Sequence, residues 1–568
     1  MLSYFNLIDE PWIPCYVEGD ERPKLLSLFQ VFLDAKNIRT IYTQTPLETI
    51  ALYRLLLVIL HCAAQGPKTK EAWCRLWNNG WEYEVTNYLN NKYDRFFLFD
   101  QKYPFFQAPN LVSKEEDPEN GLNYWPITGI TFNKASNNNP TIWDHNTDDQ
   151  SIEVSLDVAA RWLVSQQLFN LGAMKSGKKA EDKSSSDSPT TRHMHFLIRG
   201  KNLFETLMYN LCLYNIDADK PFVGQSSDDK PCWEQDLKFD SHQKEVLGYL
   251  DYMTWQPNWI KLKFNKNNPR KVSKVLVSGG YKFEPLSDDI PRFDPLCMYY
   301  RIDTKTKKLG WEPYKMKRER SVWRDLNALF PISDGSTNNS SSKIKEIKRP
   351  SAIELFANLM KSDLKLPKIK YLPIDIYGVS TQPGQNKIHL WRQETYSIPL
   401  DFITKPDEAE TALLIKYFNY SITRSEKIAR TLIRSLRILI GKDVVNSEEN
   451  TEKTRKKTKE NIKPYSDSLE ENQKLFCNAL SVYWANLSIS FQSFIAELTE
   501  NRKQAINNWE NEIRIAAFKA LDFASQGYEE SGQALKRVSL AQIMLQKLLK
   551  KSGKEGQAGE GTTDKSIH

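Results

Sequence analysis

The sequence contains no closely spaced cysteine pair, no HExxH or GxSxG motif, and no HxE followed by a CxxC. Its seven cysteines are scattered singly, which argues against a disulfide framework and a zinc ribbon and fits a reducing compartment. The missing motifs are those of zinc proteases, serine hydrolases and zinc deaminases. These absences leave those enzyme classes unsupported, and we expect neither a bound metal ion nor a cofactor.

Long apolar runs and a large excess of one charge are also missing. The most apolar stretch, Leu55 to Leu60, is too short to span a bilayer. The first ten residues carry acids where a signal peptide needs a basic patch, so we expect a cytoplasmic protein. The net charge of +7 comes from 78 basic and 71 acidic residues. It permits nucleic acid as a partner only if positive charge is concentrated locally.

Large side chains, in contrast, are abundant. Apolar residues make up 40% of the 568 residues and aromatic residues 12%, enough to build two or more folded domains. The pattern changes near Thr404, before which short strands and helices alternate with polar loops and after which long helical periodicities dominate. We therefore predict an α+β protein with a mixed α/β domain over 1–403, a helical bundle over 404–551 and a flexible tail over 552–568.

The helical periodicities after Thr404 predict where the bundle helices lie. In the longest of them aromatic residues recur on one side, as is typical of bundle core. A charge-dense stretch over 442–463 has no core pattern and indicates a solvated linker. The predicted helices are Glu408–Phe418, Ser425–Ile440, Ser468–Leu498, Gln504–Ser525 and Gln533–Leu549.

Two long polar loops interrupt the first domain. The first covers 133–150 and lies between the predicted helices over 47–64 and 151–171, and the second covers 175–191 and comes after both. Loops of this length inside a compact domain are either functional or disordered. Both interpretations stay open from composition alone.

A glycine-containing stretch, Gly172 to Lys179, matches part of a phosphate-binding loop, GxxxxGK. The next residue is a lysine instead of the Ser or Thr that would hold magnesium, and a helix instead of a strand precedes it. An NTPase is therefore unsupported. The same loop, with Lys175, can bring backbone N–H groups and positive charge to a phosphodiester, or it can be a disordered surface loop.

Positive charge is concentrated in two further places. The stretch Arg301 to Arg320 holds eight basic residues against three acids. In the predicted helix over 425–440, four cations step by three and four residues along one face, opposite an apolar face. Few acids lie at i±4, which favours a track for nucleic-acid phosphates over a merely solvated face. The four cations are Lys427, Arg430, Arg434 and Arg437.

One histidine pair, His193 and His195, has the spacing of two side chains on one strand face. A metal site needs further ligands, and no carboxylate or thiol lies at ligand spacing in the sequence. We therefore predict a half-exposed strand pair and no metal site.

Four segments together resemble a known family. They are residues 5–14 (FNLIDEPWIP), 51–58 (ALYRLLLV), 98–107 (LFDQKYPFFQ) and 196–203 (FLIRGKNL). They are similar to blocks of the CasA family, the large subunit of the type I-E Cascade CRISPR surveillance complex. The predicted C-terminal helices match the position of that family's four-helix bundle, so the resemblance spans nearly the whole chain.

The resemblance implies a non-catalytic role in antiviral defence. Members of the family recognise the protospacer-adjacent motif (PAM) of duplex DNA, largely from the minor groove, and promote strand opening and R-loop formation by the guide RNA. They also recruit a helicase-nuclease. The implied partners are the other Cascade subunits with CRISPR guide RNA, target double-stranded DNA and the helicase-nuclease, with no membrane. Base pairing reads the sequence in such systems, while protein reads a short motif.

The resemblance also implies residue roles. The family's PAM-contacting glycine loop corresponds to the segment around Gly172, and its PAM-contacting lysine to Lys282. Its wedge, which splits the duplex, corresponds to 378–386, and the RNA- and subunit-contacting loop to 133–146. The implied residues are Gly172, Ala173, Met174, Lys175 and Lys282 for the PAM; Gln382, Gln385 and Asn386 for the wedge; Lys427, Arg430, Arg434 and Arg437 for the DNA backbone; and Ile142, Trp143 and His145 for the loop.

Two other functions remain as alternatives. A stand-alone nuclease would need an Asp/Glu/His metal cluster, and none stands out in the sequence. A purely structural scaffold subunit would use the basic helix face as a protein interface. Cleavage activity of the purified protein distinguishes the first alternative, and salt-insensitive behaviour toward duplex DNA the second.

Overall fold

A computed structural model provides the three-dimensional structure. It describes residues 4–132, 152–175, 183–237, 239, 243–283, 292–304, 307–330, 344–361, 366–381, 388–441, 471–526 and 531–560. The described chain is a mixture of helices and strands, as the sequence predicts. By its internal contacts it divides into two compact units, the first with residues 1–318 and 334–396 and the second with 319–333 and 397–568.

Thirteen α-helices lie within the described ranges. They are α1 Leu28–Leu33, α2 Pro46–Ala64, α3 Lys70–Asn79, α4 Glu82–Asn91, α5 Leu156–Phe169, α6 Leu203–Asn210, α7 Tyr249–Met253, α8 Ser351–Met360, α9 Asp401–Thr404, α10 Ala409–Leu439, α11 Glu471–Glu500, α12 Arg502–Ser525 and α13 Gly532–Glu560.

Eighteen strands, most of them short, lie in the same ranges. They are β1 Tyr4–Asn6, β2 Ile13–Val17, β3 Lys24–Leu26, β4 Ile38–Ile41, β5 Phe97–Phe99, β6 Trp125–Pro126, β7 Val154–Ser155, β8 His195–Ile198, β9 Gln243–Lys244, β10 Asn258–Leu262, β11 Lys271–Val272, β12 Lys274–Gly279, β13 Lys282–Phe283, β14 Tyr299–Thr304, β15 Lys307–Pro313, β16 Ile344–Lys348, β17 Tyr371–Thr381 and β18 Ile388–Pro399.

The strands form several small sheets instead of one large one. The three-stranded sheets have the orders β3-β2-β4, β10-β12-β6, β15-β14-β16 and β18-β17-β8, and the pairs are β1-β5, β11-β7 and β13-β9. β8 pairs antiparallel with β17, whereas β13 pairs parallel with β9. Sheets this small have little face of their own to bury, so helices supply much of the core around them.

Helix α2 is the centre of the first unit. The Thr45 side chain caps its first turn, Pro46 begins it, and Gln65 ends it in a left-handed conformation. Nearly every residue from Leu47 to His61 is buried, and the helix contacts α4, α5, α6, α7 and β17. Its length and apolarity would suffice to cross a membrane, but 83% of its most apolar window is buried inside the protein. A core helix of a folded protein meets the same criteria.

The second unit is helical, and α10 to α13 pack against one another in it. The aromatic side of the longest predicted helix is core, as expected, since Tyr483, Leu487 and Phe494 are buried. Residues 319–333 also belong to this unit, and Trp323 stacks on Phe491 with ring centroids 4.6 Å apart. Domain boundaries at 403 and 551 stay a prediction, but the insertion of 319–333 has no counterpart in the sequence pattern.

The two helices predicted over 408–418 and 425–440 are one helix, α10. The sequence pattern breaks at a polar stretch, but those polar groups are satisfied by α12. Arg424 forms an ion pair with Glu510 at 2.8 Å, and the Trp509 indole N–H donates to the Ser421 carbonyl at 3.3 Å. A paired polar group can be buried at little cost, so the helix continues through it.

The end of the chain also differs from prediction. Helix α13 continues to Glu560, so residues 552–560, predicted as part of a flexible tail, are helical. Extending an existing helix adds one hydrogen bond per residue without a new nucleation cost, which offsets the weak propensity of this glycine-containing stretch. The remaining tail, 561–568, and the first residues of the helix predicted to begin at Ser468 lie outside the described residues.

Candidate nucleic-acid interface

The glycine loop leaves α5 and runs back along residues 183–188. Met174 and Ser184 form an antiparallel bridge, and the Lys175 N–H donates to the Lys183 carbonyl at 2.8 Å. A Cβ at Gly172 would lie 2.8 Å from the Ser185 carbonyl oxygen, closer than side chains approach backbone. Glycine is therefore required here for close packing of two backbone segments.

The loop does not offer its amides as the sequence predicts. The Gly172 N–H donates to Asp187 Oδ1 at 2.8 Å, and the Ala173 N–H donates to Ser185 Oγ at 3.4 Å. Together with the Lys175 N–H, three amides are thus used inside the loop. The prediction that the loop offers free backbone amides to a phosphate is therefore wrong for these three residues. The loop instead exposes side chains to solvent, because Ala173 is exposed and Met174 is 76% exposed.

Lys175 is held against an aromatic ring. Its ammonium lies 5.4 Å from the centroid of the Trp125 ring, a cation–π distance. Desolvation lowers the pKa of Lys175 to about 8. Its positive charge is therefore sensitive to pH close to neutrality.

Residues Ser186 and Asp187 connect the loop to the other two elements that the resemblance selects. The Ser186 hydroxyl donates to the Tyr281 carbonyl and accepts from the Phe283 N–H, both at 3.4 Å, and so brackets Lys282. Asp187 Oδ2 accepts from Arg192 Nε at 2.5 Å. We call Ser186, Asp187 and Arg192 the hub.

The third connection of the hub leads to β17. Arg192 Nη1 donates to Thr381 Oγ1 at 2.6 Å, and Thr381 is the last residue of β17. β17 and β18 are neighbours in their sheet, and β18 begins at Ile388. The hub therefore holds the glycine loop, the lysine strand and the strand end before Gln382 in one place.

The structure places the remaining predicted residues as follows. Lys282 is half-buried on β13, next to Gln243 of β9. The wedge residues Gln382, Gln385 and Asn386 lie outside the described residues, as do Ile142, Trp143 and His145 of the RNA- and subunit-contacting loop. Their assignments stay predictions.

In the second unit, the predicted basic face lies on α10. Lys427, Arg430 and Arg434 are exposed and Arg437 is half-buried, whereas the opposite side, with Leu432 and Leu436, is buried. The pattern thus predicted the two faces correctly. The four cations belong to one helix and one face, so their spacing is fixed by helix geometry.

Glu426 lies four residues before Arg430, at the spacing of an i,i+4 ion pair, but its carboxylate is engaged elsewhere. Its Oε1 atom accepts from Arg320 at 2.7 Å and from Arg324 at 2.6 Å. The Arg430 Nε donates instead to the backbone carbonyl of Glu426 at 3.3 Å. The carboxylate therefore leaves the basic face more positive than the sequence spacing indicated.

The basic stretch Arg301 to Arg320 is less positive than its composition suggests. Arg301 lies 3.8 Å from Glu346, Lys315 lies 3.6 Å from Glu312, and Arg320 is paired with Asp325 at 2.8 Å. The stretch is also divided between the two units after residue 318. It is therefore not a single patch within either unit.

Sequence reasoning missed a buried polar cluster in the first unit. The ligand atoms of His195, Asp294 and Cys297 lie within 4.8 Å of one another, so by distance alone they could hold a metal ion. However, the Arg54 guanidinium pairs with Asp294 at 2.7 Å, and both side chains are fully buried. Positive charge thus already occupies this site, which disfavours a cation there.

The electrostatics of that cluster follow from burial and from Arg54. Burial is the largest influence on the pKa of Asp294 and raises it, but the Arg54 guanidinium and the hydrogen bond from the Leu296 N–H act with the surrounding charge to hold the pKa below its ordinary value. Burial also lowers the pKa of His195 well below its ordinary value, so its imidazole is neutral. The expectation of a half-exposed histidine pair was wrong for His195, which is fully buried.

The hub residues were missed as well. Ser186, Asp187 and Arg192 lie in or next to the polar loop that composition could not distinguish from disorder. Ser188, Thr190 and Thr191 are buried there because their hydroxyls donate to carbonyls of residues 167, 168 and 170. Nothing in the sequence signals which serines find such partners.

Comparison with known proteins gives a consistent result. The family described as CRISPR-associated protein Cse1 matches residues 6–520. A protein from Thermus thermophilus named CRISPR-associated protein CasA/Cse1 is 29% identical over 98% of this chain and 99% of its own.

Solved structures show the same fold. Thermobifida fusca Cse1 matches with a TM-score of 0.74 at 21% identity, covering 96% of this chain and 98% of its own. Cse1 from Acidimicrobium ferrooxidans matches with a TM-score of 0.73 at 18% identity, covering 97% and 98%. A chain of a CRISPR RNA-guided surveillance complex matches with a TM-score of 0.67 at 17% identity, covering 95% and 99%.

The family match covers most of the chain, and the structural matches cover it almost from end to end. The resemblance inferred from four short segments is therefore confirmed. This chain belongs to the CRISPR-associated Cse1 family, the family of the CasA/Cse1 large subunit of the Cascade surveillance complex.

Proposed function

We propose that this protein is the non-catalytic large subunit of a type I-E Cascade complex. In that role it recognises the PAM in duplex DNA, promotes strand opening by the guide RNA and recruits the helicase-nuclease. Its partners are the other Cascade subunits with their guide RNA and the target DNA, and it works in the cytoplasm. Family membership supports the assembly, and one geometric observation supports the DNA contacts.

That observation is the hub. Three segments distant in sequence, selected for PAM contact and duplex splitting, are joined through Ser186, Asp187 and Arg192. A reader of a short DNA motif needs its contacting groups held in fixed relative positions, and a shared hydrogen-bond network provides this. Few charges take part, which suits motif reading better than non-specific attraction.

The function is tested with the assembled complex. It should bind a duplex with the correct PAM far more tightly than one with a scrambled PAM, and should open the strands only on the former. Lys282→Ala should reduce the ratio of the two affinities by about 10-fold, the scale of one lost base contact. Gln382→Ala with Gln385→Ala should leave initial binding largely intact and lower R-loop formation, measured by permanganate reactivity of unpaired thymines.

Lys114→Ala serves as the matched control for Lys282→Ala, because Lys114 is an exposed lysine of the same unit. Equal losses on both duplexes with Lys282→Ala would contradict its role in PAM reading. Unchanged R-loop formation by the double glutamine variant would remove the wedge assignment. A complex indifferent to every PAM variant would contradict the proposed function itself.

A further inference from the structure

Helix α11 of the second unit contains a long stretch without charge. In a chain in which 26% of the residues are charged, residues 475–496 include no Asp, Glu, Lys or Arg. The stretch covers about six turns of the helix. A helix that lacks charge on every side is normally buried all round, so any exposed side of this one is informative.

One side of the stretch is in fact exposed. The bundle core covers the other side, which includes Leu487 and Phe491. On the outward side Ala485, Ile489 and Ser493 recur every four residues, and all three are exposed. The Ile489 side chain is 80% exposed, more than any other large apolar side chain among the described residues. An exposed helix face from which charge is missing is typical of the core of a protein interface.

The exposed face continues from α11 onto α12. Two hydrogen bonds between the helices bracket Ile489 on one helix and Ile515 on the other, so these two side chains lie across from each other. Ile515 is 38% exposed, and the pair forms an apolar patch outside the core. The two bonds run from Lys519 to Asn486, at 3.2 Å, and from Ser490 to Glu512, at 2.8 Å.

A groove lies beside this patch, between α11 and α12. It has a volume of about 310 Å³, with Ile489 at its rim, and two carboxylates line it, Glu497 from α11 and Glu512 from α12. Glu497 Oε2 accepts from the Asn508 amide and Glu512 Oε2 from the Ser490 hydroxyl, both at 2.8 Å. Both donors are neutral, and within the described ranges no basic side chain forms an ion pair with either carboxylate. The groove therefore holds negative charge that a cation from outside can meet.

Charge and spacing together indicate the chemistry of the occupant. Two carboxylates repel the phosphates of nucleic acid and attract lysine or arginine side chains. They lie at positions 490 and 497 of α11, which are about 10 Å apart along the helix axis. A second helix presents side chains seven residues apart on one face at the same distance. A groove between two helices is also a common site for an amphipathic helix.

The apolar part of the surface favours a permanent neighbour over a transient one. Interfaces between permanent subunits are more apolar than those of transient encounters. A face with Ile489 so exposed would also promote non-specific association if it stayed open. A subunit that remains bound in the complex covers the face throughout, whereas a helicase-nuclease that arrives later does not.

We propose that the groove between α11 and α12 docks a basic, amphipathic helix of a neighbouring protein subunit in the Cascade complex. Apolar residues of that helix cover Ile489 and Ile515. Two of its basic residues, seven positions apart, pair with Glu497 and Glu512. The inference rests on the proposed function only for the identity of the assembly, and it assigns the second unit a protein-binding surface on helices other than α10.

The test uses the full-length chain and a subcomplex of the other Cascade subunits with labelled guide RNA that lacks this chain. A mobility-shift titration measures their association. Ile489→Asp should weaken association at least about 10-fold, because it places an unpaired charge in an apolar contact. Leu540→Asp is the control, since Leu540 is an exposed leucine on α13 of the same unit, and it should change association less than about 2-fold.

A second pair of variants tests the charge complementarity. Glu497→Gln with Glu512→Gln preserves the size of the side chains and should weaken association about 10-fold, with a smaller dependence on salt. Glu410→Gln with Asp522→Asn removes two exposed acids of the same unit that do not line the groove. This control should change association less than about 2-fold. Thermal unfolding of each variant verifies the fold.

Chemical labelling tests the location of the contact independently of affinity. The Ile489→Cys variant should react with a maleimide in the free chain and should be protected at least about 10-fold in the assembled complex. Gln542→Cys, at an exposed position of α13, should react at the same rate in both states. Mass spectrometry separates labelling at these positions from labelling at the native cysteines.

Full reactivity of the Ile489→Cys variant in the complex would overturn the proposal, as would equal losses with Ile489→Asp and Leu540→Asp. A loss with Ile489→Asp but none with the glutamate pair would exclude a basic helix. A wild-type dimer that Ile489→Asp dissociates would identify a second copy of this chain as the occupant, and loss of helicase-nuclease recruitment alone would identify that partner. If the wild-type chain does not join the subcomplex, the proposed function fails as well, whereas unaffected variants with intact PAM discrimination overturn this inference alone.

Discussion

The segments that the hub joins in the first unit and the basic face of α10 in the second unit are both proposed to contact DNA. The two regions are built on opposite principles. The hub has few charges, and its polar groups are hydrogen-bonded to one another and to the segments that they join, at 2.5–3.4 Å. The basic face presents three exposed cations, Lys427, Arg430 and Arg434, on a regular helix. The first arrangement fixes geometry, whereas the second supplies electrostatic attraction along a regular row of cations.

The difference has a consequence for how each region should respond to mutation. A preorganised network loses its function when one position is distorted, because its contacts depend on one another. A row of exposed cations loses affinity in increments, one phosphate contact at a time. Motif specificity should therefore depend on the hub, and salt-dependent affinity on α10.

The largest effect should come from filling the close approach at Gly172. Gly172→Val forces the Ser185 backbone away, at a cost of about 1–3 kcal/mol in the free energy of unfolding. It should lower the affinity of the assembled complex for PAM-containing duplex by about 100-fold and leave binding of scrambled duplex nearly unchanged. Competition binding with both duplexes measures this ratio.

Gly532→Ala is the control for that variant, since a Cβ at Gly532 meets nothing within 4 Å. Gly532→Ala should leave the affinity of the assembled complex for both duplexes unchanged. If Gly172→Val bound the two duplexes with the wild-type ratio, the hub would not be needed for specificity, and the contrast with α10 would fail.

An intermediate effect should follow from removing the exposed cations of α10. The triple variant Lys427→Ala, Arg430→Ala and Arg434→Ala should weaken binding of correct and scrambled duplexes equally. It should also reduce the slope of log affinity against log salt by about 2–3, at roughly 0.9 per lost phosphate contact. A salt titration of duplex binding by the assembled complex measures both quantities.

The matched control removes three exposed lysines on other helices of the same unit, Lys503, Lys536 and Lys547. This control should leave the salt slope within about 0.5 of wild type, since these lysines do not lie on the basic face. If the α10 variant lost more affinity for the correct duplex than for the scrambled one, α10 would also contribute to motif specificity, which contradicts the proposed difference between the two regions. An unchanged slope would favour a protein partner for this face.

The smallest effect concerns the charge of Lys175. Because burial lowers its pKa to about 8, the ammonium is mostly charged at pH 7 and mostly neutral at pH 9. Any contribution to DNA binding is present below that pKa and is lost as the pH rises through it. We expect duplex affinity to fall about 2- to 5-fold between pH 7 and pH 9, the scale of one lost charge contact.

Lys175→Arg should remove this pH dependence, since a guanidinium stays charged throughout the range. Anisotropy titrations of the two proteins at pH 7, 8 and 9 make the comparison. The same decline in both proteins would show that another group titrates and that Lys175 does not bring its charge to DNA.

Sequence periodicity predicted α2 and the helices of the second unit because their apolar residues recur at helical spacing over many turns. It predicted two helices in place of α10 because Ser421 and Arg424 look like a break until Trp509 and Glu510 of another helix pair with them. The four cations of α10 could be predicted as one face, since helix geometry alone decides that.

The hub could not be predicted in the same way. Asp187 bonds to Gly172, 15 residues away, and Arg192 bonds to Thr381, 189 residues away. No local pattern encodes such contacts. The family resemblance selected the loop, Lys282 and the 378–386 segment separately, but it did not identify the residues that join them.

The sequence by itself determined the family, the division into a mixed region and a helical region, and the basic face of α10. These depend on composition, periodicity and local motifs, which act over a few turns of chain. Only the tertiary structure decided which amides of the glycine loop are already bonded, which acid neutralises which cation, and how the hub joins segments that are distant in sequence. Those depend on pairs of groups that only folding brings within hydrogen-bond distance.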